Sequence, residues 1–126
     1  MVGYPNGLWD EVHNKPIFRK GITASHLKFD YNGKKEFLID AACFPGSSGS
    51  PVFLLYEGAF NDRNGELYGG TKFNLLGTLY AGPQHTAKGE IMIKPINQLP
   101  TIMTSIPNNL GFVIKSSRIL ELEKLI

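Results

Sequence analysis

Residues 44–53, FPGSSGSPVF, decide how the chain is read. Three serines stand among two glycines and two prolines, a turn composition, and the β-branched and aromatic run PVFLLY (51–56) begins as that turn closes. Glycines two positions before and one position after Ser48 suit a tight turn that gathers backbone N–H groups around one point. A serine hydroxyl is a poor nucleophile by itself. It needs a base within hydrogen-bond reach and donors for the oxyanion it creates, and the turn can supply the donors. The same composition also serves a plain hairpin between two strands.

Working outward, the chain reads mostly as β structure. Short runs rich in β-branched and aromatic residues recur: IFRKGITAS (17–25), EFLIDAA (36–42), PVFLLY (51–56), FNLLGTLYA (73–81), EIMIK (90–94) and LGFVIK (110–115). Between them YNGKK, NDRNGELYGG and GPQHTAKG read as turns, because Asn-Gly, Gly-Gly and Gly-Pro pairs supply the positive φ that hairpins need. Six short strands at this spacing fit an all-β barrel or sandwich. The end differs. After Ser116 and Ser117, either of which can cap, Ile119, Leu122, Leu125 and Ile126 fall at helical spacing, predicting a short C-terminal helix that lays an apolar stripe on the barrel.

Composition bounds the function. The 126 residues suit one domain, and 42% hydrophobic with 19% charged residues is globular composition without a low-complexity block. The net charge of +2 is scattered and forms no basic stripe, so nucleic acid is not an expected partner. No apolar run reaches the roughly eighteen residues of a membrane span, and MVGYPNG lacks the basic and apolar regions of a signal peptide. One cysteine, Cys43, makes no internal disulfide. A cytoplasmic location is the expectation. Three dispersed histidines and one cysteine show no ligand-spaced pair, so neither metal nor cofactor is expected.

IDAACFPGSSGSPVF (39–53) resembles the active-site segment of trypsin-like serine proteases, most closely the HtrA/Deg-type branch, where Asp-Ala-Ala leads to Pro-Gly-Asn-Ser-Gly-Gly-Pro. GYPNG (3–7) resembles that branch's Gly-Asn-Pro-x-Gly turn, and KGITAS (20–25) its Gly-Ile-x-Ser strand. LLGTLYAG (75–82) is similar to the strand that binds substrate backbone, and LGFVIKSSRILELEKLI (110–126) to the Gly-Phe-Ala-Ile-Pro strand and terminal helix. The resemblance implies that residues 1–126 are the second, C-terminal barrel of a double-barrel fold, a six-stranded antiparallel Greek-key barrel.

It further implies that Ser48 is the nucleophile of a serine endopeptidase, with the backbone N–H groups of Gly46 and Ser48 as oxyanion hole. Ser50 departs from the family's second glycine, and Ser47 from an aspartate kept by digestive enzymes. By the same resemblance Ala42, Cys43, Phe44 and Pro45 form one wall and the base of the pocket for the side chain preceding the scissile bond, Tyr80, Ala81 and Gly82 a second wall, and Gly111 a third. Nothing charged stands at those positions, so a small or medium apolar side chain is the expected occupant. Cys43 reads as core packing.

In that family the histidine and aspartate come from the first barrel, whose segments have no counterpart before Met1. The expectation is therefore an isolated chain with little or no activity, partnered by peptide or protein substrate and by a barrel carrying the missing pair, and self-associating through the uncovered inter-barrel face. His13 and His85 fall in loops that border the cleft in the family, and His26 at a strand end; each reads as a surface histidine. A non-catalytic module that binds peptides by β-strand addition at residues 80–82 is the alternative.

Overall fold

A computed structural model describes residues 1–62, 64–90 and 101–125. In chain order its strands are β1 (Val2–Gly3), β2 (Ile17–Phe18), β3 (Ile22–Thr23), β4 (Glu36–Asp40), β5 (Pro51–Tyr56), β6 (Ala59–Asn61), β7 (Leu67–Gly69), β8 (Lys72–Ala81), β9 (Gln84–Glu90), β10 (Thr101–Pro107) and β11 (Leu110–Lys115). One short helix, α1 (Ile119–Leu122), follows. The fold is mostly β with a short C-terminal helix, and its main sheet is antiparallel and curled as a half-barrel.

That sheet has the order β3-β4-β11-β8-β5. Alternation along its strands decides what is buried. Phe37 and Ile39 of β4, Val52 of β5, Leu79 of β8 and Val113 of β11 turn inward and pack with Ala41 and Cys43 as the core. Each apolar side chain so buried stabilises by about 1.5–3 kcal/mol. Glu36 and Leu38 point to the opposite face and are buried too, because residues 24–31 fold over them. There Ala24 N–H donates to Leu38 O at 2.8 Å, Leu38 N–H donates to Ser25 Oγ at 2.9 Å, and Tyr31 N–H donates to Glu36 O at 3.1 Å.

The YNGKK turn forms as expected, with Asn32 and Gly33 both at positive φ, 51° and 74°. Two other expected turns contain strands. Asn61 of NDRNGELYGG ends β6 and its residues 67–69 are β7, paired antiparallel with β6, and residues 84–89 of GPQHTAKG belong to β9, which pairs antiparallel with β10 from Gln84↔Pro107 to Glu90↔Thr101. The strand expected at 90–94 lies beyond Glu90 outside the described residues. The described residues hold eleven strands, many of only two or three residues, and five of them make the main sheet.

The terminal helix also departs from expectation. Neither Ser116 nor Ser117 caps it: Arg118 occupies the N-cap, without a side-chain cap bond. Ile119, Leu122 and Leu125 are exposed rather than laid on the sheet. Only four residues are α-helical, and 3-10 turns on both sides (Ser116–Arg118 and Glu123–Leu125) break the 3.6-residue period on which a stripe depends. Ion pairs of Glu121 with Lys35, at 2.5 Å, and with Arg118, at 2.7 Å, tether this end; Ile126 lies outside the described residues.

Candidate active site

The segment singled out in the sequence folds as two consecutive β-turns. In the first, Ser47 N–H donates to Phe44 O at 3.0 Å, and Gly46 takes φ 84°. In the second, Ser50 N–H donates to Ser47 O at 3.2 Å, and Gly49 takes φ 87°. Both place glycine at the third position, where type II geometry requires positive φ, and Pro45 presets φ at the second position of the first turn. Ser48 occupies the second position of the second turn and projects, exposed. Ser47 and Ser50 point the other way and are buried, the Ser47 hydroxyl without a hydrogen-bond partner among the described residues.

The turns are pinned from both sides. Asn6 N–H donates to Pro45 O at 2.6 Å, and a Cβ on Gly46 would stand 2.6 Å from Tyr4 O, so the 4–7 segment is pressed against the first turn. Gly49 N–H donates to Leu79 O at 2.7 Å and Leu79 N–H to Ser50 O at 2.9 Å, joining the second turn to β8. Every N–H of residues 46–50 is thereby accounted for except two. Gly46 N–H and Ser48 N–H have no acceptor among the described residues.

The Ser48 hydroxyl donates to Tyr80 O at 3.0 Å. Beside it opens a cleft of about 290 Å³ lined by Cys43, Phe44, Pro45, Ser47, Ser48, Leu79, Ala81, Gly82 and Gln84, with no charged side chain among them. Of the residues named from the sequence, Ser48, Cys43, Phe44, Pro45, Ala81 and Gly82 meet at this cleft and Tyr80 reaches it through its carbonyl. Ala42 lies outside the lining. Gly111 is buried behind it, where a Cβ would stand 2.6 Å from both Cys43 Sγ and Leu79 Cδ1. Gly111 therefore makes room for the cleft floor rather than forming its surface. Burial raises the Cys43 thiol above the ordinary cysteine range, and its Sγ donates to Ala41 O at 3.2 Å.

Gly82 offers a further pair of backbone groups. Neither its N–H nor its C=O is bonded among the described residues, and it lies just past the end of β8, at the cleft. Tyr80 itself points its phenol away, to Glu36 Oε2 at 2.7 Å, and this hydrogen bond, with burial and the carboxylate charge, pushes the phenol pKa up to about 12. The Glu36–Tyr80 contact was not legible in the sequence, since it joins residues 44 apart across β11. Leu79 and Gln84 also escaped the sequence reading, though Leu79 is the inward neighbour of Tyr80 by strand alternation.

The histidines stand elsewhere. His13 Nδ1–H donates to Asp10 Oδ2 at 2.9 Å within an exposed hairpin, a contact that lowers the Asp10 pKa. His26 Nδ1 accepts Lys28 N–H at 3.1 Å, and His85 is exposed on β9 opposite Ile106. None of the three lines the cleft. Among the described residues no group of His, Cys, Asp and Glu could hold a metal ion, and no helix is long and apolar enough to cross a membrane. Comparison with protein-family models, with curated proteins and with solved structures returned no match.

Proposed function

We propose that residues 1–126 are the nucleophile-bearing barrel of a trypsin-like serine endopeptidase, its curled sheet being part of a six-stranded Greek-key barrel. In this reading Ser48 Oγ attacks the scissile carbonyl and passes its proton to a base supplied from outside these residues, by a barrel carrying histidine and aspartate. The Gly46 and Ser48 N–H groups hold the oxygen as it becomes negative. The base then protonates the leaving amine, and water releases the acyl group from Ser48. The single observation that carries the reading is that, in the turn that exposes the Ser48 hydroxyl, the N–H groups of Gly46 and Ser48 have no acceptor among the described residues. The uncharged cleft supports a small or medium apolar side chain before the scissile bond.

Without the base, the chain is expected to retain only the residual catalysis of an oxyanion hole, roughly a thousandfold over water in enzymes that keep their full cleft. Fluorophosphonate treatment followed by peptide mapping tests this. The expected result is slow modification confined to Ser48 and lost in Ser48→Ala. Rapid stoichiometric labelling would show that Ser48 already has a base, and modification spread evenly over the serines would show that it has no privileged site.

The unbonded Gly82 N–H and C=O favour one further reading, a non-catalytic module that pairs extended peptides along residues 80–82. Peptide binding that is identical in wild type and Ser48→Ala, together with no selective labelling of Ser48, would favour it.

A further inference from the structure

Tyr80 joins two regions that the strand order keeps apart. Leu79 turns both its N–H and its carbonyl toward the serine turn, to Ser50 O and from Gly49 N–H. In an unbroken antiparallel ladder the next residue would turn its carbonyl the opposite way, toward β11. Tyr80 does not, since its carbonyl accepts the Ser48 hydroxyl on the same side. The cause is a bulge: Ala81 stands opposite Phe112 and Leu79 opposite Val113, which leaves Tyr80 as the extra residue. Bulges of this kind re-aim the groups beside them.

The Tyr80 side chain runs the other way. Its ring passes Phe112 with centroids 6.0 Å apart, and its phenol ends on Glu36 Oε2, on the far side of β11. Glu36 is only 7% exposed, so its carboxylate depends on a donor within the protein, and among the described residues that donor is the Tyr80 phenol. We infer that Glu36 is a positioning residue for the serine site: by anchoring the Tyr80 phenol it fixes the bulge that aims the Tyr80 carbonyl at the Ser48 hydroxyl. An incoming base must draw the serine proton away from that carbonyl, so Glu36 sets how firmly Ser48 is held in its resting orientation.

The test reads the hydrogen bond itself, so its result stands whether or not Ser48 proves to be a nucleophile. Tyr80-Ala81 is the one Tyr-Ala step in the sequence, so ¹³C-carbonyl tyrosine with ¹⁵N-alanine gives a single coupled resonance for the Tyr80 carbonyl. Ser48→Ala supplies the position of that resonance without the hydroxyl donor. In Glu36→Leu the resonance is expected to move from the wild-type to the Ser48→Ala position, while Glu36→Gln, which keeps an acceptor oxygen, holds the wild-type position. Tyr80→Phe, labelled with ¹³C-carbonyl phenylalanine, gives a second route, because no phenylalanine in the sequence precedes an alanine. Its resonance, referenced to Tyr80→Phe combined with Ser48→Ala, is expected to be insensitive to the serine. Amide spectra verify that each variant folds. A folded Glu36→Leu protein whose Tyr80 carbonyl stays at the wild-type position would overturn the inference, as would a folded Tyr80→Phe protein whose carbonyl still responds to Ser48.

Discussion

The Ser48 hydroxyl donates to the Tyr80 carbonyl oxygen at 3.0 Å, so the proton that a nucleophilic serine must surrender rests on backbone. An amide carbonyl is too weak a base to remove it. The resting geometry therefore combines an exposed serine, two backbone N–H groups without an acceptor among the described residues and a cleft, and on the proposed reading the proton transfer falls to a group outside them.

The two turn glycines are expected to differ in how badly they tolerate alanine. Gly49 takes φ 87° with open space around a Cβ, so Gly49→Ala carries the left-handed backbone cost alone, about 1 kcal/mol. Gly46 adds a clash with Tyr4 O, and Gly46→Ala is expected to cost on the order of 3 kcal/mol and to displace the first turn. Urea midpoints of the two variants check the order. Equal losses would mean that the 4–7 segment does not press on the turn.

Behind the cleft, Gly111→Ala is expected to overpack Cys43 and Leu79 at a cost of about 1–3 kcal/mol. Adding Cys43→Ala removes one of the two clashes and recovers part of that loss, a coupling of about 1 kcal/mol in a double-mutant cycle. Strict additivity of the two substitutions would contradict the contact. In the folded wild type, burial holds the Cys43 thiol protonated, so its alkylation is expected to wait for denaturant.

The Tyr80 phenol is expected to ionise near pH 12, followed through its ring ¹³C resonance, and Glu36→Leu should return it toward the ordinary value of about 10. Because folding favours the neutral phenol, the stability this contact contributes is complete below about pH 10 and is lost as pH rises through about 12. The stability gap between wild type and Glu36→Leu should therefore narrow over that interval. A constant gap would remove Tyr80 ionisation from the account.

The strands legible in the sequence were those with a long inward-outward alternation. β4, β5, β8 and β11 carry it, and they supply the core residues Phe37, Ile39, Val52, Leu79 and Val113. β9 was not legible because GPQHTAKG is polar and bounded by glycines, and its ladder with β10 depends on a distant partner rather than on its own composition. The serine turn was legible down to single residues, since Pro45, Gly46 and Gly49 each satisfy a backbone requirement that few other residues meet. The cleft was less so. Ala42 falls outside it and Gly111 lies behind it, because which residues line the cleft depends on how Cys43, Leu79 and Gly111 pack across strands distant in sequence, which local pattern does not encode. The apolar pattern after Ser117 suggested a packed helix, yet α1 is one turn long and its apolar side chains are exposed.

If Ser48 is a nucleophile that lacks only its base, as proposed, supplying a base should activate it. The rate of Ser48 phosphonylation by a fluorophosphonate is measured with increasing imidazole at fixed pH and ionic strength. Labelling is expected to accelerate with the concentration of neutral imidazole in wild type, and Ser48→Ala to show no labelling at this site at any concentration. A wild-type rate that does not respond to imidazole would contradict the proposal.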